Sequence, residues 1–111
     1  MKKIKIKIWI EDDEKIFGKG NYELLKAIEE CGSINQAAKK LNMSYKKAWL
    51  KKEQTQDFLG GEIFISKKDA SLDSGTKLSP RAKGFLDFYT ELEKELEENA
   101  NIKFKEKKEN E

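Results

Sequence analysis

Histidine is absent from this chain of 111 residues, and cysteine occurs once, as Cys31. A single cysteine excludes a disulfide within the chain. The usual zinc sites take their ligands from several cysteine and histidine side chains, so one chain cannot assemble such a site. Histidine-based acid–base and triad catalysis needs an imidazole and is likewise excluded. We therefore expect no enzyme activity, no metal site and no cofactor, and we expect Cys31 to be a packed or half-exposed thiol.

Long apolar runs are also absent: no stretch approaches the roughly 18 consecutive apolar residues of a membrane-spanning helix. Charged residues make up 40% of the chain and hydrophobic residues 37%, and the length fits one domain. Met1 is followed by lysines that alternate with isoleucines, which is unlike a signal peptide. We therefore expect a cytoplasmic protein that has no membrane partner.

The most informative stretch is GSINQAAKKLNMSYKKAWLKK, residues 32–52, which predicts two short helices joined by a tight turn. Ser33 and Ser44 can each cap a helix, because a serine hydroxyl accepts a hydrogen bond from a free amide of the first turn. Asn42 tolerates the left-handed conformation that closes a helix. Small residues occur where the two helices must cross closely: Ala37, Ala38 and Ala48. This pattern is typical of a helix-turn-helix, whose second helix enters the DNA major groove.

Lysine is the only charged residue type in this stretch, whereas the whole chain is nearly balanced, with 23 basic and 21 acidic residues. A local positive field attracts phosphate groups whatever the base sequence. A helical hairpin with a solvated lysine face would carry the same charges. The caps and the turn, together with this charge, favour DNA binding over that alternative.

The N-terminal residues predict a β-hairpin followed by a helix. Residues 2–10 alternate lysine with isoleucine, which is the period-two pattern of a half-buried strand with its isoleucines facing the core. The acidic residues 11–14 predict a turn, and residues 15–17 predict a short returning strand. Residues 18–20 predict a flexible break before a first helix, which should run from Asn21, its expected cap, to Cys31.

The residues after the helix-turn-helix predict a β-wing. Residues 62–66 predict a strand, residues 67–76 have turn chemistry, and Lys77 and Leu78 can form the returning strand. Lysines of the wing can reach phosphates or the minor groove, although solvated loop lysines would give the same sequence. These lysines are Lys67, Lys68 and Lys77.

Ser79 and Pro80 predict the start of a last helix, with the serine as cap and the proline at the first helical position. This helix should run to about Glu98. Its apolar residues recur at spacings of four, three and four: Phe85, Tyr89, Leu92 and Leu96. Such a stripe either packs on the domain or pairs with its counterpart in a second subunit, and we favour a homodimer. We expect residues 1–98 to form one domain and residues 99–111 to form a charged, disordered tail.

The run FGKGNYELLKAIEECGSINQAAKKLNMSYKKAW, residues 17–49, resembles the N-terminal DNA-binding domain of ModE, the molybdate-responsive bacterial repressors. The resemblance covers roughly residues 3–92 and includes the leading strand and the wing. It implies a winged helix of the LysR-like type in a standalone form that lacks the molybdate-binding C-terminal domains. The implied partner is double-stranded DNA, and we expect no small-molecule effector to bind this chain directly.

Two departures from the family pattern concern DNA binding. The family usually has apolar residues where this chain has Lys52 and Thr55, so we expect the recognition helix to be shifted, bent or less stable. The family's wing is glycine-rich, whereas residues 67–77 read KKDASLDSGTK, so its approach to DNA should differ.

The sequence thus predicts an α+β, mostly α-helical fold: a winged helix-turn-helix with an N-terminal β-hairpin, a three-helix core, a β-wing and a long C-terminal helix. The predicted function is a sequence-specific, homodimeric transcriptional regulator, with molybdate- or tungstate-related genes as candidate targets. A protein-interaction module with weak, nonspecific DNA affinity is the alternative, suggested by the irregular recognition helix and the acidic last helix.

By position on the recognition helix, base edges and thymine methyls are assigned to Tyr45, Lys46, Trp49 and Leu50. Phosphates are assigned to Lys47, Lys51 and the amide end capped by Ser44. Tyr45 and Trp49, which lie four residues apart on one face, fit the core equally well. The predicted DNA contacts are Ser33, Gln36, Ser44, Tyr45, Lys46, Lys47, Trp49, Leu50, Lys51, Lys67, Lys68 and Lys77.

Overall fold

The computed structural model describes residues 2–61, 64–66 and 76–110. Its elements are β1 (Ile10–Asp12), β2 (Glu14–Phe17), α1 (Lys19–Cys31), α2 (Ile34–Lys40), α3 (Tyr45–Leu59), β3 (Phe64–Ser66), β4 (Thr76–Leu78) and α4 (Pro80–Glu109). β1 pairs with β2 and β3 pairs with β4, both antiparallel, in two separate two-stranded sheets. The predicted α+β winged helix-turn-helix is confirmed, with its elements in the expected order.

Local sequence signals set most helix boundaries. Ser33, Ser44 and Ser79 each accept a hydrogen bond from the amide three residues further along, at the starts of α2, α3 and α4. Gly32 ends α1 at a φ of 79°, and Asn42 follows α2 at a φ of 56°. Both residues adopt the left-handed conformation that closes a helix, as predicted.

The start of α1 differs from the prediction, because Asn21 is not its cap. The Oδ1 atom of Asn21 accepts a hydrogen bond of 3.0 Å from the amide of Gly18. This bond places Gly18 at the cap position and Asn21 within the first turn. Lys19 and Gly20, which were predicted to lie in a flexible break, are therefore the first two residues of the helix.

The first strand begins only at Ile10, so the predicted strand over residues 2–10 was wrong in extent. The predicted alternation is nevertheless present, because Ile4, Ile6 and Ile8 are half-buried while the lysines between them are exposed. We call residues 2–9 the N-terminal segment.

Side chains of α4 take the place of a neighbouring strand for the N-terminal segment. Asn101 accepts a hydrogen bond of 2.7 Å from the amide of Ile4 and donates one of 3.0 Å to the carbonyl of the same residue. Glu97 accepts a bond of 3.3 Å from the amide of Ile6. The segment is therefore docked along a helix, which explains why its alternating pattern forms no ladder.

The core contains an aromatic cluster around Phe17, which is fully buried. Its ring centroid lies 5.0 Å from that of Phe85, 5.1 Å from that of Tyr89 and 5.7 Å from that of Phe58. Burial raises the pKa of the Tyr89 phenol, and its hydroxyl donates a hydrogen bond to the carbonyl of Ile8. The cluster joins β2, α3, α4 and the N-terminal segment into one core.

The last helix extends to Glu109, so its end was wrongly predicted near Glu98. Residues 99–109 are helical where a disordered tail was expected. The hydrogen bonds between Asn101 and Ile4 attach this extension to the N-terminal segment, and Phe104 is partly buried beside it. The polar composition of residues 99–111 suggested a tail. The contacts that hold these residues in a helix could not be read from it, because they join residues at opposite ends of the chain.

No helix in the described part of the chain combines the length and the apolar character needed to cross a membrane.

Candidate nucleic-acid interface

The first half of α3 presents a group of exposed side chains on one surface of the molecule. Ala48 is fully buried, and it seats the helix against the core together with the buried Ala37 and Ala38 of α2. We call the exposed residues of this helix the α3 surface: Tyr45, Lys46, Lys47, Trp49 and Leu50. The small alanines allow α2 and α3 to approach closely, which fixes the orientation of this surface.

The two aromatic residues of the α3 surface are not core residues. Tyr45 is 54% exposed and Trp49 is 41% exposed. The Lys52 ammonium lies 5.8 Å from the centroid of a Trp49 ring, a distance at which the cation attracts the ring's π system. The sequence left both core and surface placements open for Tyr45 and Trp49. The structure places both on the surface, where these rings are available to a ligand.

A buried polar network supports α3 from behind. The Thr55 hydroxyl donates a hydrogen bond of 2.8 Å to the carbonyl of Lys51 and accepts one of 3.1 Å from the Asn21 amide group. The same amide group donates a bond of 3.0 Å to Gln54. The polar side chain of Thr55 thus matches the polar side chain of Asn21 in α1.

The recognition helix was expected to be shifted, bent or less stable at Lys52 and Thr55, and the structure shows how both residues are accommodated. α3 is one uninterrupted helix from Tyr45 to Leu59. Thr55 is buried with its hydroxyl hydrogen-bonded, and Lys52 lies beside Trp49 and Glu53. Sequence reasoning missed the supporting role of Asn21, which nothing in the local sequence around Thr55 indicates.

The serines predicted to contact DNA already act as helix caps. Ser33 accepts a bond of 3.0 Å from the Gln36 amide, and Ser44 accepts one of 3.1 Å from the Lys47 amide. Gln36 is exposed in the first turn of α2. These contacts satisfy amides in the first turns of α2 and α3.

The remaining predicted lysines fall in three different places. Lys51 is half-buried, and its ammonium lies 2.9 Å from the point where a Cβ on Gly20 would be, so it is directed toward the start of α1. Lys77 is exposed on β4, at the base of the wing. Lys67 and Lys68 lie outside the described residues.

One lysine of the helix-turn-helix is engaged by an acidic residue. Lys40 of α2 forms an ion pair with Glu30 of α1. The hydrogen bond from Lys40, together with its charge, lowers the pKa of the Glu30 carboxyl, and Glu30 raises the pKa of Lys40. Lys46 and Lys47 are exposed at the start of α3 and form the basic part of the α3 surface.

The stripe predicted for dimerisation divides between the core and the surface. Tyr89 is 1% exposed and belongs to the core of its own subunit, and Phe85 is half-buried beside it. Leu92 is half-buried, whereas Leu96 is 42% exposed. Phe88 is 56% exposed and was missed, although its spacing of four residues from Leu92 was a usable signal.

Two curated proteins are similar to this chain over most of its length. The transcriptional regulator ModE of Haemophilus influenzae is 37% identical over 79 residues, which cover 71% of this chain and 31% of that protein. The molybdenum transport protein ModE of Herbaspirillum seropedicae is 34% identical over 73 residues, 66% of this chain and 27% of that protein. The chain carries a ModE-type domain.

The ModE-type domain spans less than a third of the length of either relative. No protein-family model matches the chain. The predicted resemblance to ModE is confirmed at the level of the domain, and the winged helix-turn-helix described above is its architecture.

Proposed function

We propose that this chain is a sequence-specific DNA-binding transcriptional regulator that acts as a homodimer. The observation that carries the proposal is the α3 surface, which combines two lysines with exposed aromatic and aliphatic side chains. An α-helix fits the B-DNA major groove, where base edges and thymine methyls are accessible. The relative from Haemophilus influenzae is named as a transcriptional regulator, which supports the same function.

The side chains divide by the DNA groups that their chemistry suits. Tyr45, Lys46, Trp49 and Leu50 are proposed to contact base edges and thymine methyls. Lys47 is proposed to contact phosphate, as is the amide end of α3 capped by Ser44. Lys77, at the base of the wing, is proposed to contact the phosphate backbone of the DNA. Lys51, which is directed toward Gly20, is the weakest candidate of the predicted set.

The proposed target genes concern molybdenum or related oxyanions. One relative is named as a molybdenum transport protein, and the other as a transcriptional regulator of the same type. We propose that regulation of oxyanion uptake is the role of this chain, that it works in the cytoplasm where DNA is accessible, and that no effector binds this chain directly.

One of the two observations that suggested the alternative, an interaction module without specific DNA affinity, no longer supports it. It was suggested in part by an irregular recognition helix, and α3 is uninterrupted with its buried threonine satisfied. The acidic stretch of α4, which also suggested it, remains its support.

Selection of genome fragments by the purified protein near physiological salt tests the function directly. Sequencing of the retained DNA is expected to yield a near-palindromic motif, because a two-fold dimer reads two half-sites in opposite orientation. Uptake genes beside that motif would support the proposed targets. Retention of random fragments that are released as salt rises would overturn sequence-specific regulation in favour of the interaction module.

Replacement of Lys46 and Lys47 by alanine tests the assignment of α3. Each lost phosphate contact lowers the slope of log affinity against log salt by about one unit, and a lost base contact also relaxes specificity. We expect the double variant to bind at least about tenfold more weakly at physiological salt, measured by fluorescence anisotropy on the selected site. Lys26→Ala, at an exposed lysine of α1, is the control. Unchanged affinity and salt dependence in the double variant would show that α3 is not the recognition helix.

A further inference from the structure

The N-terminal segment docks on α4 through the backbone groups of alternate residues. Side chains of α4 bond to the backbone of three residues in this segment: Ile4, Ile6 and Ile8. In an extended chain the amide and the carbonyl of one residue point to one edge, and those of the next residue point to the opposite edge. The edge that faces α4 is therefore the edge of the even-numbered residues.

The opposite edge of the segment is not engaged. In the part of the chain that the structure describes, no hydrogen bond involves the backbone amides or carbonyls of the lysines that alternate with these isoleucines: Lys3, Lys5 and Lys7. We call these backbone groups the open edge. An unpaired edge is a template on which a further extended chain can form ladder hydrogen bonds.

The side chains of the segment set the chemistry of a chain that pairs with the open edge. The three lysines are exposed on one face, and the isoleucines are half-buried on the other. In an antiparallel ladder, directly opposed side chains lie on the same face with their Cβ atoms about 4.5–5.5 Å apart. The matching chain therefore has acidic side chains on the lysine face and apolar side chains on the isoleucine face, in alternation.

The lysine face remains available although one of its members has an acidic neighbour. The ammonium of Lys5 lies 3.5 Å from a carboxylate oxygen of Glu97, and the Lys5 side chain is still 71% exposed. A cross-strand carboxylate can therefore approach Lys5 from the solvent side.

Further lysines add positive charge at the start of the open edge. Lys2 and Lys3 line a groove of about 510 Å³ together with Lys105 and Lys108 of α4, and Phe104 contributes apolar surface to it. Clustered charge of one sign raises the local concentration of ligands of the opposite sign. The groove thus favours an acidic partner that also carries apolar side chains.

We propose that the open edge binds an extended peptide segment of a partner protein, in which acidic and apolar side chains alternate. The peptide joins the N-terminal segment as a neighbouring strand, so that backbone hydrogen bonds supply affinity and the lysines select acidic residues. The site uses no residue of the α3 surface, so this inference goes beyond the proposed DNA recognition and does not rest on it.

The chemistry of the open edge excludes two other occupants. A second copy of the N-terminal segment would place lysines opposite lysines, and like charges directly opposed in a ladder are destabilising. A nucleic acid would be attracted by the lysines, but its backbone cannot alternate donors with acceptors along a strand edge. A peptide satisfies both the charges and the backbone groups.

Selective N-methylation of a synthetic peptide tests strand pairing on the unmodified protein. The probe is a fluorescein-labelled peptide of seven residues in which glutamate alternates with valine, and fluorescence anisotropy measures its binding. Methylation of the glutamate amides and methylation of the valine amides block opposite edges of the peptide. We expect one methylated form to bind at least about tenfold more weakly than the other, because it loses the hydrogen bonds to the open edge. Equal affinity in the two methylated forms, or no binding of the unmethylated peptide, would overturn the inference.

Charge reversal of the exposed lysines tests the selection of acidic side chains. Lys3→Glu with Lys7→Glu turns two attractive cross-strand pairs into repulsive ones, so we expect at least about tenfold weaker binding of the unmethylated peptide. Lys26→Glu with Lys83→Glu is the matched control, since it changes the net charge equally at exposed positions on α1 and at the start of α4. Its affinity should stay close to that of the parent chain. Similar affinity in the two double variants would show that binding does not depend on the lysine face.

Hydrogen exchange of the unmodified chain locates the bound peptide. At saturating peptide we expect exchange at the amides of Lys3, Lys5 and Lys7 to slow by about tenfold or more, while exchange at the amides of Ile4 and Ile6 stays unchanged. Unchanged exchange at the three lysine amides would place the peptide elsewhere and overturn the inference.

An oligothymidine tests nucleic acid as the occupant of the same segment. We expect it to leave the exchange of the lysine amides unchanged, since it forms no ladder with the open edge. An oligothymidine that displaces the peptide and slows the same amides to the same extent would show a general polyanion surface instead of a peptide site.

Discussion

The presence of a buried threonine at position 55 is explained by a contact with a residue that is distant in the sequence. Thr55 is 1% exposed, yet its hydroxyl has a donor in Asn21 and an acceptor in the carbonyl of Lys51. A buried polar group without a partner is costly, whereas a matched pair is tolerated. Asn21 in turn accepts a hydrogen bond from the amide of Gly18 at the start of α1, so one network links the supporting helix to the recognition helix.

Substitution of Thr55 by valine should destabilise the protein despite the similar shape of the two side chains. The change leaves the Asn21 amide group with Gln54 as its remaining partner and removes both hydrogen bonds of the Thr55 hydroxyl, so we expect a loss of about 1–2 kcal/mol in the free energy of unfolding. Urea denaturation measures it. Thr55→Ser keeps the hydroxyl but loses a methyl group, and is the control. A valine variant as stable as the parent chain would show that the network contributes nothing to stability.

At the scale of secondary-structure elements, helix boundaries were predictable where a cap is local. Ser33, Ser44 and Ser79 lie within three residues of the amides they satisfy, so the sequence alone sufficed. The start of α1 was mispredicted, since Asn21 reaches back to Gly18 rather than forward along the helix. The N-terminal segment was mispredicted because its partners lie on α4, and its alternating pattern could not distinguish a strand from a docked segment.

Replacement of Asn101 by alanine should release the N-terminal segment from α4. Asn101 both accepts from the amide and donates to the carbonyl of Ile4, so one side chain takes the place of a neighbouring strand at this point. We expect hydrogen exchange at the Ile4 amide to accelerate by about tenfold or more, since loss of about 1.4 kcal/mol of local stability changes exchange by a factor of ten.

Exchange at the core amides of α1 should stay unchanged in the same Asn101 variant. Glu98→Ala, at an exposed position of the same helix, is the matched control. Equal protection of Ile4 in the parent and in the Asn101 variant would show that the segment is held by its isoleucines instead.

At the scale of the whole molecule, the proposed dimer should couple subunit pairing to DNA recognition. Each subunit offers one α3 surface, so a palindromic site gains affinity from two linked contacts. All residues of the α3 surface were among the predicted DNA contacts, whereas the exposed side of α4 was predicted only in part, at Leu96. The placement of Tyr89 in the core and of Phe88 on the surface was not, because a stripe with spacings of three and four is equally compatible with packing inward or outward.

Substitution of Ile102 by glutamate should weaken binding to a palindromic site while leaving binding to a single half-site unchanged. The residue is 57% exposed, so the subunit should fold normally, but the new charge would be buried where the exposed side of α4 pairs in the proposed homodimer. We expect at least about tenfold weaker binding to the full site, measured by fluorescence anisotropy.

Lys107→Gln makes the same change of one charge unit at an exposed position about 140° around α4 from Ile102, and its binding to both sites should match the parent chain. Equal losses on the full site and the half-site in the Ile102 variant would mean that Ile102 does not act through dimerisation.

The local features of this protein could be read from its sequence: three serine caps, the left-handed Gly32 and Asn42, the lysine-rich helix-turn-helix and the resemblance to ModE. These signals involve residues within a few positions of one another, so no knowledge of the fold was needed. The tertiary structure decided which side of α4 is buried, how far that helix extends, where the N-terminal segment docks and why Thr55 is polar. Each of these depends on contacts between residues far apart in the chain, which become neighbours only when the core around Phe17 assembles.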